Sequence, residues 1–435
     1  MDCKVLYKLF RQHPVVTTDS RKCPEGSMFF ALKGEHFDGN QYAAKALEAG
    51  CGLAVVDDAR VIPEGDSRYI HVANVLEALQ ELAREHRRHF THPVIQVTGT
   101  NGKTTTKELL HAVLSKKYKV LATEGNLNNH IGVPLTLLRL TDEHTLAVIE
   151  TGANHPGEIQ TLSNIVEPDY GLITNVGKAH LEGFGSFEGV KRTKGELYDY
   201  LRRKEGGKVF LNDANPHLCQ MAEGLTTIRY GKCGKQGLLV EGELNGKDAY
   251  MAMTWRAAGK DAPWNEVKTH LIGGYNLDNA LAAACVGTWF GVSGEQISEA
   301  LAEYQPRLGR SELRQTEHNR LIVDAYNANP TSMRLSLENF SRIESGHKMV
   351  ILGDMRELGS ESMAEHQYIA DMLPTMGIEE AWLVGSQFGA THNEAKVFAD
   401  VEEVKAELRK RKPEGMLILL KGSNGTKLYE LPEML

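Results

Sequence analysis

The chain has 435 residues, 41% of them hydrophobic and 24% charged, which suffices for about three cores and excludes a disordered or fibrous polymer. Its 49 Lys and Arg against 57 Asp and Glu leave a formal net charge of −8. That excludes the basic excess of a protein that coats nucleic acid, though a few local cations can still hold a small phosphate ligand. No apolar run of signal-peptide length opens the chain. The longest weakly polar stretch, residues 280–292, is shorter than the roughly 20 residues of a membrane span. The six cysteines (Cys3, Cys23, Cys51, Cys219, Cys233, Cys285) are scattered, with no C-x-x-C pair. A cytoplasmic, monomeric protein without disulfides, nucleic-acid partner or membrane insertion is expected.

In chain order, residues 1–82 begin with a Gly- and Asp-punctuated region and run into a helix predicted over 75–88. A buried strand is predicted at 93–97. A helix follows over 104–116, with Leu109, Leu110, Val113 and Leu114 on one face. Strands at 119–122, 146–149, 171–175 and 208–212 alternate with helical patterns, the signature of a mostly parallel sheet covered by helices. Residues 238–272 differ, with short alternating segments and Gly-containing turns that suggest antiparallel hairpins; helices at 277–290 and 296–304 come next. After Pro306 a second series has strands at 321–323, 349–352, 382–384 and 417–420, and a helix at 401–412. The expected fold class is α/β in three domains. These are a small α/β N-terminal unit (1–82), a central P-loop-type mostly parallel sheet (83–305) and a C-terminal Rossmann-like doubly wound sheet (306–435).

The segment Thr98-Gly99-Thr100-Asn101-Gly102-Lys103-Thr104-Thr105 lies between a predicted strand and a predicted helix, the context a phosphate loop requires. Its glycines let backbone amides curl around phosphate oxygens at a helix N-terminus. Lys103 supplies a full charge to the β/γ-phosphates, and Thr104 a hydroxyl to Mg²⁺. Val97 stands where the common pattern has its first Gly; the alternative is a Gly-rich turn that happens to contain Lys and Thr. Glu150 and His180 follow neighbouring strands, and ligands of open parallel sheets bind outside the carboxyl ends of strands, so both are candidate metal ligands. Each has a plainer alternative: a solvated loop acid, or an ordinary loop or core histidine.

Several segments together resemble the Mur ligases of peptidoglycan synthesis over nearly the whole chain. They are Thr18-Asp19-Ser20-Arg21, Phe29-Phe30-Ala31-Leu32-Lys33-Gly34-Glu35-His36-Phe37-Asp38-Gly39 and Asn126-Leu127-Asn128-Asn129-His130-Ile131-Gly132-Val133-Pro134. Glu150-Thr151-Gly152-Ala153-Asn154, Thr174-Asn175-Val176-Gly177-Lys178-Ala179-His180 and Asp324-Ala325-Tyr326-Asn327-Ala328-Asn329-Pro330 also belong, as do Leu352-Gly353-Asp354-Met355 and Lys421-Gly422-Ser423. The resemblance implies ATP-dependent amide-bond formation between a UDP-muramoyl-tripeptide and D-alanyl-D-alanine, with ATP and Mg²⁺. Glu150, His180 and Thr104 would then ligate Mg²⁺. Lys194 would stand where relatives can carry a carbamylated lysine, otherwise being one cation of a solvated helix face. Asn276 and Asn279 would meet adenine, a helix N-cap being compatible for Asn276. Arg310 would reach the γ-phosphate and Asp324 the ribose or ATP. Ser20, Arg21, Lys33 and Asp38 would hold the uridine diphosphate, with turn formation the rival at Asp38. Asn129, Asn327 and Asn329 would contact substrate. Lys103, Lys194, His180 and Arg310 form the implied catalytic set. Many relatives have Arg where Asn424 stands, so a charged contact there is in question. Another Mur ligase reaction, folate polyglutamylation and a GTP-dependent switch remain as alternatives. For the last, Thr193-Lys194-Gly195-Glu196 mimics part of a guanine-reading signature, with Glu in place of Asp.

Overall fold

A computed structural model of the protein describes residues 2–246, 248–259, 262–306 and 311–435. The N-terminal unit holds a four-stranded parallel sheet ordered Val16–Thr17, Met28–Phe30, Leu53–Val56, Tyr69–His71. Its strands have only two to four residues, too few for periodicity to betray them. The helix Val75–His89 starts at Asn74, whose side chain accepts the amides of Leu76 and Glu77, and it buries Val75, Leu79, Leu82, Ala83 and His86. It runs on through residue 82 to Arg87, whose guanidinium donates to the carbonyls of Val166 and Glu167 and to Asp169 at 3.0 Å each. One hydrophobic cluster accordingly takes in Leu6 and Phe10 as well as Val94, Leu137 and Ile159.

The central sheet has nine strands, from Asn265–Ile272 through Tyr250–Ala257, Val240–Leu244, Thr226–Lys232, Lys208–Asn212, Tyr170–Ile173, Val94–Thr98 and Leu146–Glu150 to Val120–Ala122. Tyr250–Ala257 pairs antiparallel with both of its neighbours, Val240–Leu244 and Asn265–Ile272; the other pairings are parallel. The hairpin region expected at 238–272 therefore extends the same sheet, entered through Thr226–Lys232, a strand the sequence pattern did not isolate. Val94–Thr98 is buried throughout because apolar neighbours cover both faces. Its one large polar side chain, Gln96, donates to Thr151 Oγ1 and Ser163 Oγ at 3.0 Å each. The chain leaves this strand toward Leu146–Glu150 on one side and returns at Tyr170–Ile173 on the other, so a crevice opens at the strands' carboxyl ends.

The C-terminal sheet is ordered Glu312–Gln315, Arg320–Asp324, Leu417–Lys421, Lys348–Gly353, Glu380–Val384, Lys396–Phe398, parallel except for its first pair. Its carboxyl ends place Asp324 and Lys421 side by side. All six cysteines are free. Among the described residues, no helix is long and apolar enough to cross a membrane.

Candidate active site

The phosphate loop joins Val94–Thr98 to the helix Lys103–Leu114. Gly99 (φ +142°) and Gly102 (φ +78°) take left-handed backbone conformations that side chains disfavour. Space demands glycine as well: a Cβ at Gly99 would lie 2.1 Å from Thr174 Oγ1, and one at Gly102 2.6 Å from Asn279 Oδ1. Asn175 shapes the loop further. Its carbonyl accepts the Thr100 amide, its Oδ1 the Asn101 amide, and its Nδ2 donates to the Asn101 carbonyl, each at 3.0 Å. Lys103 Nζ donates to the carbonyls of Gly99 (2.9 Å) and Thr100 (3.0 Å), which holds the cation over the loop.

A cavity of about 1070 Å³ opens on this loop. Thr100 to Thr105, Asn129, Glu150, His180, Asn276, Asn279, Asp324, Asn327 and Asn329 all line it, from the central and C-terminal units, and Leu76 and Gln80 reach it from the N-terminal helix. The expected convergence of phosphate loop, Glu150 and His180 on one crevice is thus present in the structure. Gly99 lies at the loop's base.

Glu150, 1% exposed, ends its strand with Oε1 accepting from Thr104 Oγ1 (3.2 Å) and Asn128 Nδ2 (2.8 Å). Its Oε2 is buried without a hydrogen-bond partner. A buried carboxylate oxygen left unsatisfied is costly unless a cation takes it up, so Glu150 with Thr104 fits a hard divalent ion. Among the described residues, no three His, Cys, Asp or Glu side chains form a ready-made cage. His180 instead has its Nδ1 against the carboxylate of Glu357 from the C-terminal unit. Burial lowers the His180 pKa, and Lys103 and Lys194 push the same way against the pull of Glu357. Lys194 is 2% exposed in the helix Phe187–Arg203, with Nζ 3.3 Å from the Ala153 carbonyl and over the Phe184 ring. Burial, then the charge of Lys103, push its pKa down to about 7. The solvated-face alternative for Lys194 is therefore excluded, and a substantially neutral amine is the form that adds CO₂. Thr193 is buried in the same helix, and Glu196 accepts the amides of Gly157 and Gln160 at 2.8 Å, so this segment braces a loop.

Asn276 is 4% exposed and makes no side-chain cap; its Nδ2 donates to the Ile272 carbonyl (2.8 Å) and its Oδ1 accepts from Asn279 Nδ2 (2.8 Å). Asn279 Oδ1 accepts from Thr106 Oγ1 (3.0 Å), which ties this pair to the phosphate-loop helix. Asn329 caps the helix Pro330–Arg342 and also donates to Asn101 Oδ1 at 2.7 Å, a direct link between C-terminal unit and phosphate loop. Asn327 Oδ1 accepts the Ala328 amide, and Asn129 Oδ1 accepts those of Ile131 and Gly132. Asp324 pairs with the buried Lys421 at 2.5 Å. Arg310 lies outside the described residues.

Ser20, Arg21, Lys33 and Asp38 do not line the cavity. Arg21 pairs with Asp19 (2.8 Å), Lys33 with Asp57 (2.8 Å), and Asp38 caps the turn at Asn40. Asn128, Asn175 and Lys421 were legible only as members of longer motifs. Glu357 carried no sequence signal, because an exposed acid between strands has no distinguishing pattern.

Residues 14–87 match the Mur ligase family catalytic domain, 97–287 the Mur ligase middle domain and 309–424 the Mur ligase glutamate ligase domain. The UDP-N-acetylmuramoyl-tripeptide–D-alanyl-D-alanine ligase of Bacillus subtilis is 33% identical over 428 residues, covering 96% of this chain and 92% of that protein. The Escherichia coli ligase of the same name is 34% identical over 424 residues, with the same coverage. The MurF ligase of Thermotoga maritima, solved in complex with ADP, superposes with a TM-score of 0.84 at 28% identity, covering 97% of this chain and 96% of that one. With all three units matched in order and the phosphate loop at their common crevice, this chain belongs to the Mur ligase family.

Proposed function

We propose that the chain is an ATP-dependent ligase that joins D-alanyl-D-alanine to a UDP-N-acetylmuramoyl-tripeptide in peptidoglycan synthesis. The observation that carries this reading is likeness, from end to end, to two ligases of that name, 33% and 34% identical with 92% of each covered. In this reading residues 1–82 hold the uridine diphosphate through Ser20, Arg21, Lys33 and Asp38, residues 83–305 hold ATP, and residues 306–435 complete the site. The uridine-type segments set it apart from folate polyglutamylation. Six free thiols and ATP as co-substrate fit the cytoplasm.

The tripeptide's terminal carboxylate oxygen attacks the γ-phosphorus, the bond to ADP breaks, and an acyl phosphate forms. The amine of D-alanyl-D-alanine then attacks the acyl carbon, loses its proton, and phosphate departs as the amide forms. Loop amides and Lys103 bear on the transferring phosphoryl group, and Arg310 is assigned to its far side. Asn276 and Asn279 offer donor and acceptor to the adenine edge. Glu150 and Thr104, with His180 and Lys194 near by, are the residues that would hold Mg²⁺, which supplies screening between a carboxylate and a triphosphate. Asn129, Asn327 and Asn329 line the space left for substrate.

The test is phosphate release by the purified protein with ATP and UDP-muramoyl-tripeptide, with and without D-alanyl-D-alanine, and the mass of the product. Dipeptide-dependent release and a pentapeptide product are expected. A requirement for GTP, or a product without the dipeptide, would overturn the reading.

A further inference from the structure

The contact between His180 and Glu357 has no part in the chemistry above. His180 follows the central strand Tyr170–Ile173, and Glu357 the C-terminal strand Lys348–Gly353. Both take left-handed backbone conformations, φ +50° and +62°, unusual for residues that carry a Cβ. The seam around them is continuous: the Glu182 amide donates to the Glu357 carbonyl (3.2 Å), and Lys178 Nζ reaches Glu365 at 2.6 Å and Glu361 at 3.9 Å. A carboxylate only accepts, so in the neutral imidazole the His180 nitrogen facing Glu357, Nδ1, carries the proton and Nε2 keeps its lone pair. That is the tautomer an imidazole needs to ligate a cation through Nε2, and a carboxylate behind the ring is the usual device for fixing it.

We propose that Glu357 is a positioning residue, held by the C-terminal unit, that fixes the Nδ1-protonated tautomer of His180 and so completes the divalent-cation site only when the two units are docked. This rests on the reading of His180 as a cation ligand. A carboxylate that instead blocked His180 would act with the opposite sign.

The experiment titrates Mn²⁺, a paramagnetic probe for Mg²⁺, into the full chain with ADP and follows free Mn²⁺ by electron paramagnetic resonance. Glu357→Ala should weaken binding by at least ~10-fold, the scale for losing such a partner. Glu357→Gln should keep most of it, because the amide oxygen can still accept from Nδ1–H. Glu357→Asn tolerates the left-handed backbone but is one methylene short, and it should behave like Glu357→Ala. In parallel, the ¹⁵N shifts of the His180 ring should pass from one tautomer to a mixture in Glu357→Ala, without any turnover. Wild-type affinity in both shortened variants, with weakened binding in His180→Ala, would overturn the proposal and leave the His180 assignment standing. No effect of His180→Ala would overturn both. Tighter binding in Glu357→Ala would make the contact a block, against the proposal.

Discussion

Lys103 donates to two carbonyls of its own loop, Gly99 and Thr100, so its charge is already placed over the ring of amides that would surround a phosphate. In the proposed reaction, removing it takes away a charge partner of the transferring group. Lys103→Ala should lower turnover by at least ~10²-fold while circular dichroism and the unfolding midpoint stay near wild type. Phosphate release at the wild-type rate in that folded variant would detach the loop from the reaction. Lys194 makes a different prediction, about stability. Burial and Lys103 hold its folded pKa near 7, well below the value of 10.5 in an unfolded chain. Between those pH values the unfolded state binds more protons, so unfolding free energy from this group rises with pH; its penalty is full below about pH 7 and fades toward pH 10. In urea unfolding between about pH 7 and pH 9, Lys194→Met should flatten that rise. Parallel slopes in the two proteins would show the ammonium to be better solvated than its burial implies.

The strand–loop–helix element was legible in full: a buried β-branched run, glycines at the bend, then a helical face. The structure adds that Gly102 is fixed by a neighbour as much as by its own φ, since Asn279 fills the space a side chain would need. Gly102→Ala should therefore destabilise the protein by about 1–3 kcal/mol and weaken nucleotide binding, because the displaced Asn279 also holds Asn276. Equilibrium denaturation and titration with a non-hydrolysable ATP analogue would measure both, and unchanged affinity would sever the asparagine pair from the nucleotide. Other elements were less legible. Thr226–Lys232 sets buried Ile228 and Tyr230 on either side of exposed Arg229, with exposed Thr226 and Lys232 at its ends, a short pattern diluted by charge. The N-terminal strands gain their pairing from neighbours distant in sequence, which local propensity does not register.

At the scale of the molecule, the central and C-terminal units meet at Asn101–Asn329, His180–Glu357 and Lys178–Glu365. Arg310, assigned from sequence to the C-terminal unit, is proposed to act on the γ-phosphate. Arg310→Ala should lower turnover by ~10²-fold while affinity for the UDP-peptide, whose proposed anchor is the N-terminal unit, changes little. Small-angle scattering should show compaction when a non-hydrolysable ATP analogue and the UDP-peptide are added together, and less of it in the variant. Wild-type turnover in Arg310→Ala would make the residue a bystander to closure.

The sequence marks out the three α/β units, the phosphate loop, Glu150 at a strand end with His180 in the loop after the strand Tyr170–Ile173, and, through extended motifs, the family. These are properties of contiguous residues: periodicity, glycine spacing, a lysine at a helix start. The folded arrangement is needed to see that Lys194 is buried within reach of the Lys103 charge and that one oxygen of Glu150 has no partner. It also decided that Asn329 reaches the phosphate loop and that Glu357 meets His180 from another unit. Burial, pKa and partner choice depend on atoms brought together across as many as 228 residues of chain, and no local pattern encodes them.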